Sequence, residues 1–580
     1  MSSQEDQPDA DSIAAGQRLV RIDGDRGLSL AEKVAAQFHR LAYRTIFHRM
    51  RLKGRYPLKL VGVPRDPLAG DETRGHALLN GHLSFHDHSV AINTLRFSAT
   101  AHPDIWREHA LSFAWLRDLA SVSDRARATR IAEPLVQSFL SDFAEFDEFA
   151  WRGDILGQRL FYWAAYAPLI LSSNDLVYRS AVLNTIARGA RHLERSHSKG
   201  LQGLAKIHAV GGLLVAGLLL PGGEVRQARA EDALERALDQ FLLPDGGVMS
   251  RTPYDMLLLL EWLLMLQSVY AVRGLRNCEA ISTAIVRLVP ALKGACLGDG
   301  SLAAMHGGAM CPKARLTQAF DQAAIPARPL RNGITSGIQR LSGGKTAIVV
   351  DAGPPPATRD SDCAHAGTLA FEMSDGPTRF IVNCGGGKGQ PRALPEELVQ
   401  LLRATAAHST LVLADHNSTS IREDGTLGRG VDEVMVERQE SEEGSWLDIS
   451  HDGYVRRYGL LHQRRMFLSA DGRDLRGEDT LLPAKGRRGL RRAREQNFDV
   501  RFHLGAGVEA TPTADGHGAL LKLPDGTVWQ FKARGGTLSI DESLWIDAEG
   551  RPRSVAQLLL SGEALPGGAT VNWSFKRAGR

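Results

Sequence analysis

The densest group of potential ligands and proton carriers lies in one stretch. Asp351, Asp360, Asp362, Cys363 and His365 precede a run with strand character, Asn383 and Cys384 close the next such run, and His408 stands just before a third. If those runs are neighbouring antiparallel strands, His365, Asn383 and His408 meet at one sheet end. Two neutral imidazoles and an amide oxygen make a ligand set for one zinc-like divalent ion, in which Asn is a weaker donor than Asp. The bland alternative is three polar groups hydrogen-bonded at sheet ends. Cys363 has the neighbours of a nucleophile, but adjacent carboxylates disfavour the thiolate, so an inert small residue fits better. Asp245 or Asp255 against Asp360 or Asp362 offers the carboxylate pair of a glycoside hydrolase if they face each other across a cleft. Between Lys485 and Arg494 six positive charges fall in ten residues, attractive to an anionic polymer. No aromatic residue interleaves them to stack bases, and 70 Lys+Arg against 66 Asp+Glu leave only +4, so nucleic acid is not the expected partner. No nucleotide cofactor is expected either.

The elements that must position these groups follow from periodicity. At 580 residues and 43% hydrophobic content the chain holds more than one core. From Pro103 to about Ala295 the spacing is helical, with Ile105, Trp106, Ala110 and Phe113 on one face, Asn174 and Asp175 as caps, and Leu234, Leu238, Phe241 and Leu242 as a later stripe. Short connections imply antiparallel helical hairpins, closed into a toroid or stacked as a solenoid. Ala209 to Leu220 and Met256 to Leu266 are apolar but shorter than a membrane span, so they read as buried helices and no transmembrane segment is expected. After about Gly333 the period becomes two. Thr346 to Val350, Arg379 to Val382, and Phe498, Val500, Phe502 and Leu504 alternating with Asp499, Arg501 and His503 read as strands. No helical stretch is expected among them. The fold class is therefore multidomain, α then β, ending in a large antiparallel β-sandwich.

The domain reading is a disordered polar N-terminus over 1–27, a cationic helix and lead-in over 28–100, a helical domain over 101–325 and the sandwich over 326–580. Residues 30–55 carry nine His, Arg and Lys side chains around Val34, Phe38 and Leu41, the pattern of a peripheral membrane contact or of a helix packed on the next domain. Five scattered cysteines without a CxxC pair give no disulfide framework or zinc ribbon. The opening MSSQEDQPDADS lacks the features of a secretory signal, which makes the cytoplasm the default location.

Asp351-Ala352-Gly353, Ala364-His365-Ala366-Gly367-Thr368-Leu369-Ala370-Phe371-Glu372, Ile381-Val382-Asn383-Cys384-Gly385 and Arg403-Ala404-Thr405-Ala406-Ala407-His408-Ser409-Thr410 resemble, in register, the signature blocks of the heparinase II/III-like C-terminal domain. The similarity continues through His451-Asp452-Gly453-Tyr454, His462-Gln463-Arg464-Arg465 and Arg501-Phe502-His503-Leu504, and in the helical half through Phe113 to Leu119 and Pro244 to Pro253. The resemblance implies an α/α toroid followed by a β-sandwich with the substrate cleft between them. It also implies a lyase that cuts an acidic, uronate-containing polysaccharide by β-elimination: one group neutralises the carboxylate, a base removes the adjacent proton, and an acid protonates the leaving oxygen. Carried over by position, Tyr254, His365 and His408 are the catalytic candidates, His208, Arg251, Asp255 and Arg464 the substrate-binding ones, and His365, Asn383 and His408 the metal ligands. The departures fall on the chemistry. The family's His-x-His reads Cys363-Ala364-His365, its aspartate is Asn383, its Asn-His pair is replaced by Gly203-Leu204-Ala205-Lys206 with His208 nearby, and its tyrosine slot after Pro253 holds Asp255, with Tyr254 one place early. The alternative is a catalytically degenerate glycan-binding or envelope-assembly protein on the same fold, which would move the location to the cell envelope or periplasm.

Overall fold

The computed structural model describes residues 18–21, 52, 59–143, 146–197, 199–360, 363–484 and 495–579. The cationic segment 30–55 other than Leu52, the basic run 485–494 and Asp362 lie outside them. From Glu72 to Ala323 the described chain is helical apart from loops and one small hairpin, His82–Phe85 with His88–Ala91. The helices start where the chemistry supplies acceptors: Asp175 takes the amides of Val177 and Tyr178, Asp71 that of Arg74, and Asp124 that of Arg127. Helices Gly153–Ala165 and Gly203–Leu219 cross at Gly157 and Gly212, where a Cβ on Gly212 would lie 2.2 Å from the Gly157 Cα. The helix Pro253–Val272 is 20 residues long and apolar enough, by length and composition, to cross a membrane; 72% of its apolar window is buried inside the fold. It runs further than the Met256 to Leu266 core read from the sequence.

The C-terminal half is two antiparallel sheets. Among the described residues one carries nine strands in the order Arg18–Arg21, Glu433–Glu440, Gly444–His451, Leu460–Ser469, Asp474–Pro483, Ala569–Arg577, Val528–Arg534, Gly518–Lys522 and Glu509–Pro512. The other runs Thr537–Ile546, Pro552–Ala564, Gln496–Leu504, Thr378–Val382, Phe371–Asp375, Thr346–Asp351 and Ile338–Gly343, with Leu411–Leu413 paired to Gln496–Leu504. Their facing sides bury Phe371, Phe502, Phe531, Trp573 and Phe575 as one ring cluster.

Two expectations change. Arg18–Arg21 belongs to no disordered tail: it pairs residue for residue with Glu433 to Val436, because that outer strand offers unpaired backbone groups and Arg-Leu-Val-Arg can supply them. Short helices, Glu396–Leu402 and Val455–Tyr458, do interrupt the strand series. The halves share a seam: Ile338, Ala347 and Val349 from the first two sandwich strands pack into the helical core. Beside them Arg379 bonds both Asp299 of the helical half (2.7 Å) and Glu372 of the sandwich (2.9 Å).

Candidate functional site

The loop Met305 to Ala309, at the end of the helical half, is the keystone of the junction. His306 has a left-handed backbone (φ 47°) and Gly307 follows with φ 84°. A Cβ on Gly307 would lie 2.3 Å from the Cys363 carbonyl oxygen, and one on Gly308 would lie 2.4 Å from Thr252 Oγ1 and 3.0 Å from Tyr254 Cβ. The sandwich loop Gly385 to Gly389 zips onto it: Lys388 N–H donates to the Gly307 carbonyl, and Ala309 N–H to that of Lys388, both at 2.8 Å. Thus the Cys363 position, Tyr254 and Lys388 surround one short loop.

Arg251, also left-handed at φ 55°, ties the halves together. Its guanidinium donates to Ser336 O (2.7 Å), Pro354 O (2.5 Å) and Asp351 Oδ1 (2.6 Å), while His306 Nε2 lies 3.1 Å from Asp351 Oδ2. Burial alone would raise the Asp351 pKa, but Arg251 and His306 outweigh it and hold the group at about 2. Expected at the substrate, Arg251 is instead a buried clamp engaged by protein acceptors.

Pro253 opens the long apolar helix at a position that needs no amide partner, placing Tyr254 and Asp255 in its first turn. The Tyr254 ring lies under Gly389 (φ 79°), whose Cβ, if present, would sit 2.2 Å from it. Its hydroxyl accepts from Arg315 at 3.1 Å, and Arg315 is held by a two-pronged contact to Glu261 at 2.6 and 2.7 Å. Asp255 is buried, accepts from Ser250 Oγ at 2.7 Å, and has Lys388 Nζ at 2.8 and 2.9 Å from its two oxygens. His208 accepts from Gln158 at 3.3 Å and meets Trp262 edge to face. Burial pushes its pKa down to about 4, with Asp154 and Asp255 pulling the other way, so it is neutral at pH 7.

The remaining expected residues are elsewhere. His365 and His408 do come together, but on each other. His408 Nδ1 must donate to Ala404 O at 2.7 Å, which leaves Nε2 bare to receive the His365 Nδ1 proton at 2.9 Å. Burial lowers both pKa values, that of His408 to about 4, so the pair is neutral. The Asn383 amide oxygen accepts Ser409 N–H at 3.0 Å and its nitrogen donates to Ala304 O at 3.4 Å. His365 Nδ1, both His408 nitrogens and the Asn383 oxygen are engaged with protein groups, so the set His365, Asn383 and His408 does not present three open donors to a divalent metal as arranged. Among the described residues no group of three or more His, Cys, Asp or Glu side chains could hold one. Arg464 is fully buried in the sandwich, donating to both oxygens of Asp479 (2.8 and 3.0 Å) and to the carbonyls of Leu369 and Ser409 (each 2.8 Å). It is a core group, and the substrate role expected of it is corrected. The hydrolase pair also dissolves: Asp245 is taken up by Thr335 and Ser336, and Asp255 by Ser250 and Lys388.

The residues that sequence reasoning missed are Arg315, Lys388 and the His306 loop. The glycine run around Lys388 was the available signal, since a backbone with no side chains on either side of a lysine marks a close approach. Chemically, the junction presents a tyrosine hydroxyl braced by a guanidinium, and beside it an ammonium reaching solvent, an arrangement suited to an anion.

Residues 325–574 match the family model described as Heparinase II/III-like, C-terminal. FtsZ-localized protein C from Caulobacter vibrioides (strain NA1000 / CB15N) is 32% identical over 560 residues, 92% of each chain. The fold resembles that of heparan sulfate lyase HepC from Pedobacter heparinus, with TM-score 0.62 and 14% identity over 94% of this chain and 88% of that one. A heparinase III structure gives TM-score 0.69 and 11% identity over 95% and 92% of the two chains.

Proposed function

The chain belongs to the heparinase II/III-like family, and from that premise we propose that it binds an acidic, uronate-bearing glycan at the junction of its halves without cutting it, as an envelope-assembly protein. The observation that carries this reading is the Asp255–Lys388 contact: the slot after Pro253 that the lyases fill with a tyrosine holds a buried carboxylate, bonded to an ammonium from the other half. A buried carboxylate held by an ammonium is not the phenol that takes and returns the proton in elimination. Supporting it, Cys363 stands where the family places a histidine, and His365 and His408 satisfy each other. The relative of 32% identity is named for its localisation with FtsZ, which makes the cell-division apparatus the proposed setting. Incubation with a panel of uronate polysaccharides tests it: measurable binding without the ultraviolet absorbance of an unsaturated uronate product supports the reading, and appearance of that absorbance overturns it.

The second reading is elimination, favoured by the Arg315 contact to the Tyr254 hydroxyl, since a guanidinium bonded to the phenol oxygen fixes its position for proton transfer. Tyr254 would take the proton next to the uronate carboxylate and return one to the leaving oxygen. Product absorbance that vanishes in Tyr254→Phe and persists in His208→Gln would establish it.

A further inference from the structure

Lys388 is delivered to the junction by a loop that has almost no freedom of its own. Gly386 lies against the Gly307 backbone (a Cβ would be 2.3 Å from it), Gly387 against Val399 and Gly389 on the Tyr254 ring. Backbone bonds on both sides of Lys388 fix it to the His306 loop. The mobile part is therefore the four-carbon stem, with the charge at its tip. That charge is asymmetrically placed. The Lys388 side chain is 32% exposed whereas the Asp255 side chain behind it is 4% exposed, so the ammonium covers a buried carboxylate and reaches solvent. Asp255 itself cannot follow the lysine outward, because it belongs to the first turn of the buried helix and is bonded to Ser250.

From this geometry we infer that Lys388 is the receptor for the ligand's carboxylate, and that Asp255 is an internal carboxylate that occupies the ammonium in the free protein and is exchanged for, or shares it with, the uronate. The inference rests on the reading of the junction as a glycan site and names its recognition chemistry: a cation on the sandwich side does what the absent Asn-His pair would do from the helical side. The exchange makes opposite predictions for its two members. Removing Lys388 removes the receptor, while neutralising Asp255 removes a competitor and leaves the lysine in place.

The test is calorimetric titration of the full chain with hexasaccharides of heparosan, hyaluronan and oligogalacturonate, each beside its carboxyl-reduced form. For whichever oligosaccharide the wild type binds, Lys388→Met weakens binding by about tenfold or more, as loss of a charge-assisted bond does. Lys388→Arg stays within about threefold, Asp255→Asn tightens binding by about threefold or more, and carboxyl reduction of the sugar erases these differences. A Lys388→Met protein that melts like the wild type and binds as tightly overturns the assignment, as does Asp255→Asn binding more weakly while still folded. If the wild type binds no uronate oligosaccharide, the glycan reading falls first and the inference with it, so the two failures are told apart by the wild-type titration alone.

Discussion

Inside the sandwich, Asp479 receives Arg464, His462 and the Trp573 indole, and the side chains of Asp479, Arg464 and His462 have no exposure at all. At the junction, Asp255 receives Lys388 and Ser250, and one member of the pair reaches solvent. Both are acid–base contacts, one across neighbouring strands and the other across the two halves, and they place different constraints on the sequence. In the first, every partner is desolvated, so losing one strands a charge with nothing to replace it. In the second, water or a ligand can take over the exposed end, so the contact is cheap to break and available for use. The buried set therefore tolerates little substitution at His462, Arg464 and Asp479, whereas the Asp255–Lys388 contact tolerates more.

The largest effect that would sharpen this contrast is Asp479→Ala, expected to cost about 3 to 5 kcal/mol in urea denaturation, against less than about 1 kcal/mol in the same assay for Asp255→Asn, which leaves the ammonium to water. Equal costs would break the comparison. Next comes Gly389→Ala, which puts a Cβ 2.2 Å from the Tyr254 ring at φ 79° and should cost about 2 to 3 kcal/mol by melting, with faster proteolysis between the halves.

A slightly smaller effect is acid sensitivity through Asp351. Its folded pKa of about 2 lies below the unfolded value of about 3.9, so its ionised form stabilises the fold fully above about pH 4 and this contribution disappears as pH falls towards 2. About 2 kcal/mol should be lost over that window, and the part of the acid limb due to this group should be absent in Asp351→Asn. Tyr254→Phe, which removes one hydrogen bond to Arg315, should cost about 1 kcal/mol or less. Smallest of all, zinc or a chelator should leave the melting temperature unchanged, because the His365–His408 contact closes through a proton; a clear shift with zinc would place the ion there after all.

Much of the frame was readable from the chain alone. The change of period near Gly333 separates the helical half from the sheets, and the caps at Asp175 and the opening at Pro253 are local chemistry that needs no tertiary context. What escaped is what topology decides. Arg251 and Arg464 stand in matching family blocks and look like ligands for an anion, but their acceptors are 85 to 103 residues away for Arg251 and up to 95 for Arg464. The strand Arg18–Arg21 is too short to carry a periodic signal and exists because Glu433 to Val436 leaves an open edge. Asn383 was placed correctly beside the His408 segment, yet whether it faces an ion or the Ser409 amide is a matter of side-chain direction that spacing does not encode.

The helix that carries Tyr254 and Asp255 is buried along most of its length, with Trp262, Leu263 and Leu266 packed further along the same cylinder. One wall of the junction is therefore anchored to the hydrophobic interior and cannot yield without disturbing it. Accommodation of a bulkier or branched partner falls to the Lys388 side chain, because its loop is bonded through the backbone to the His306 loop. Partners of differing size should accordingly differ in how slowly they leave more than in how fast they arrive, since only the lysine stem has to swing aside.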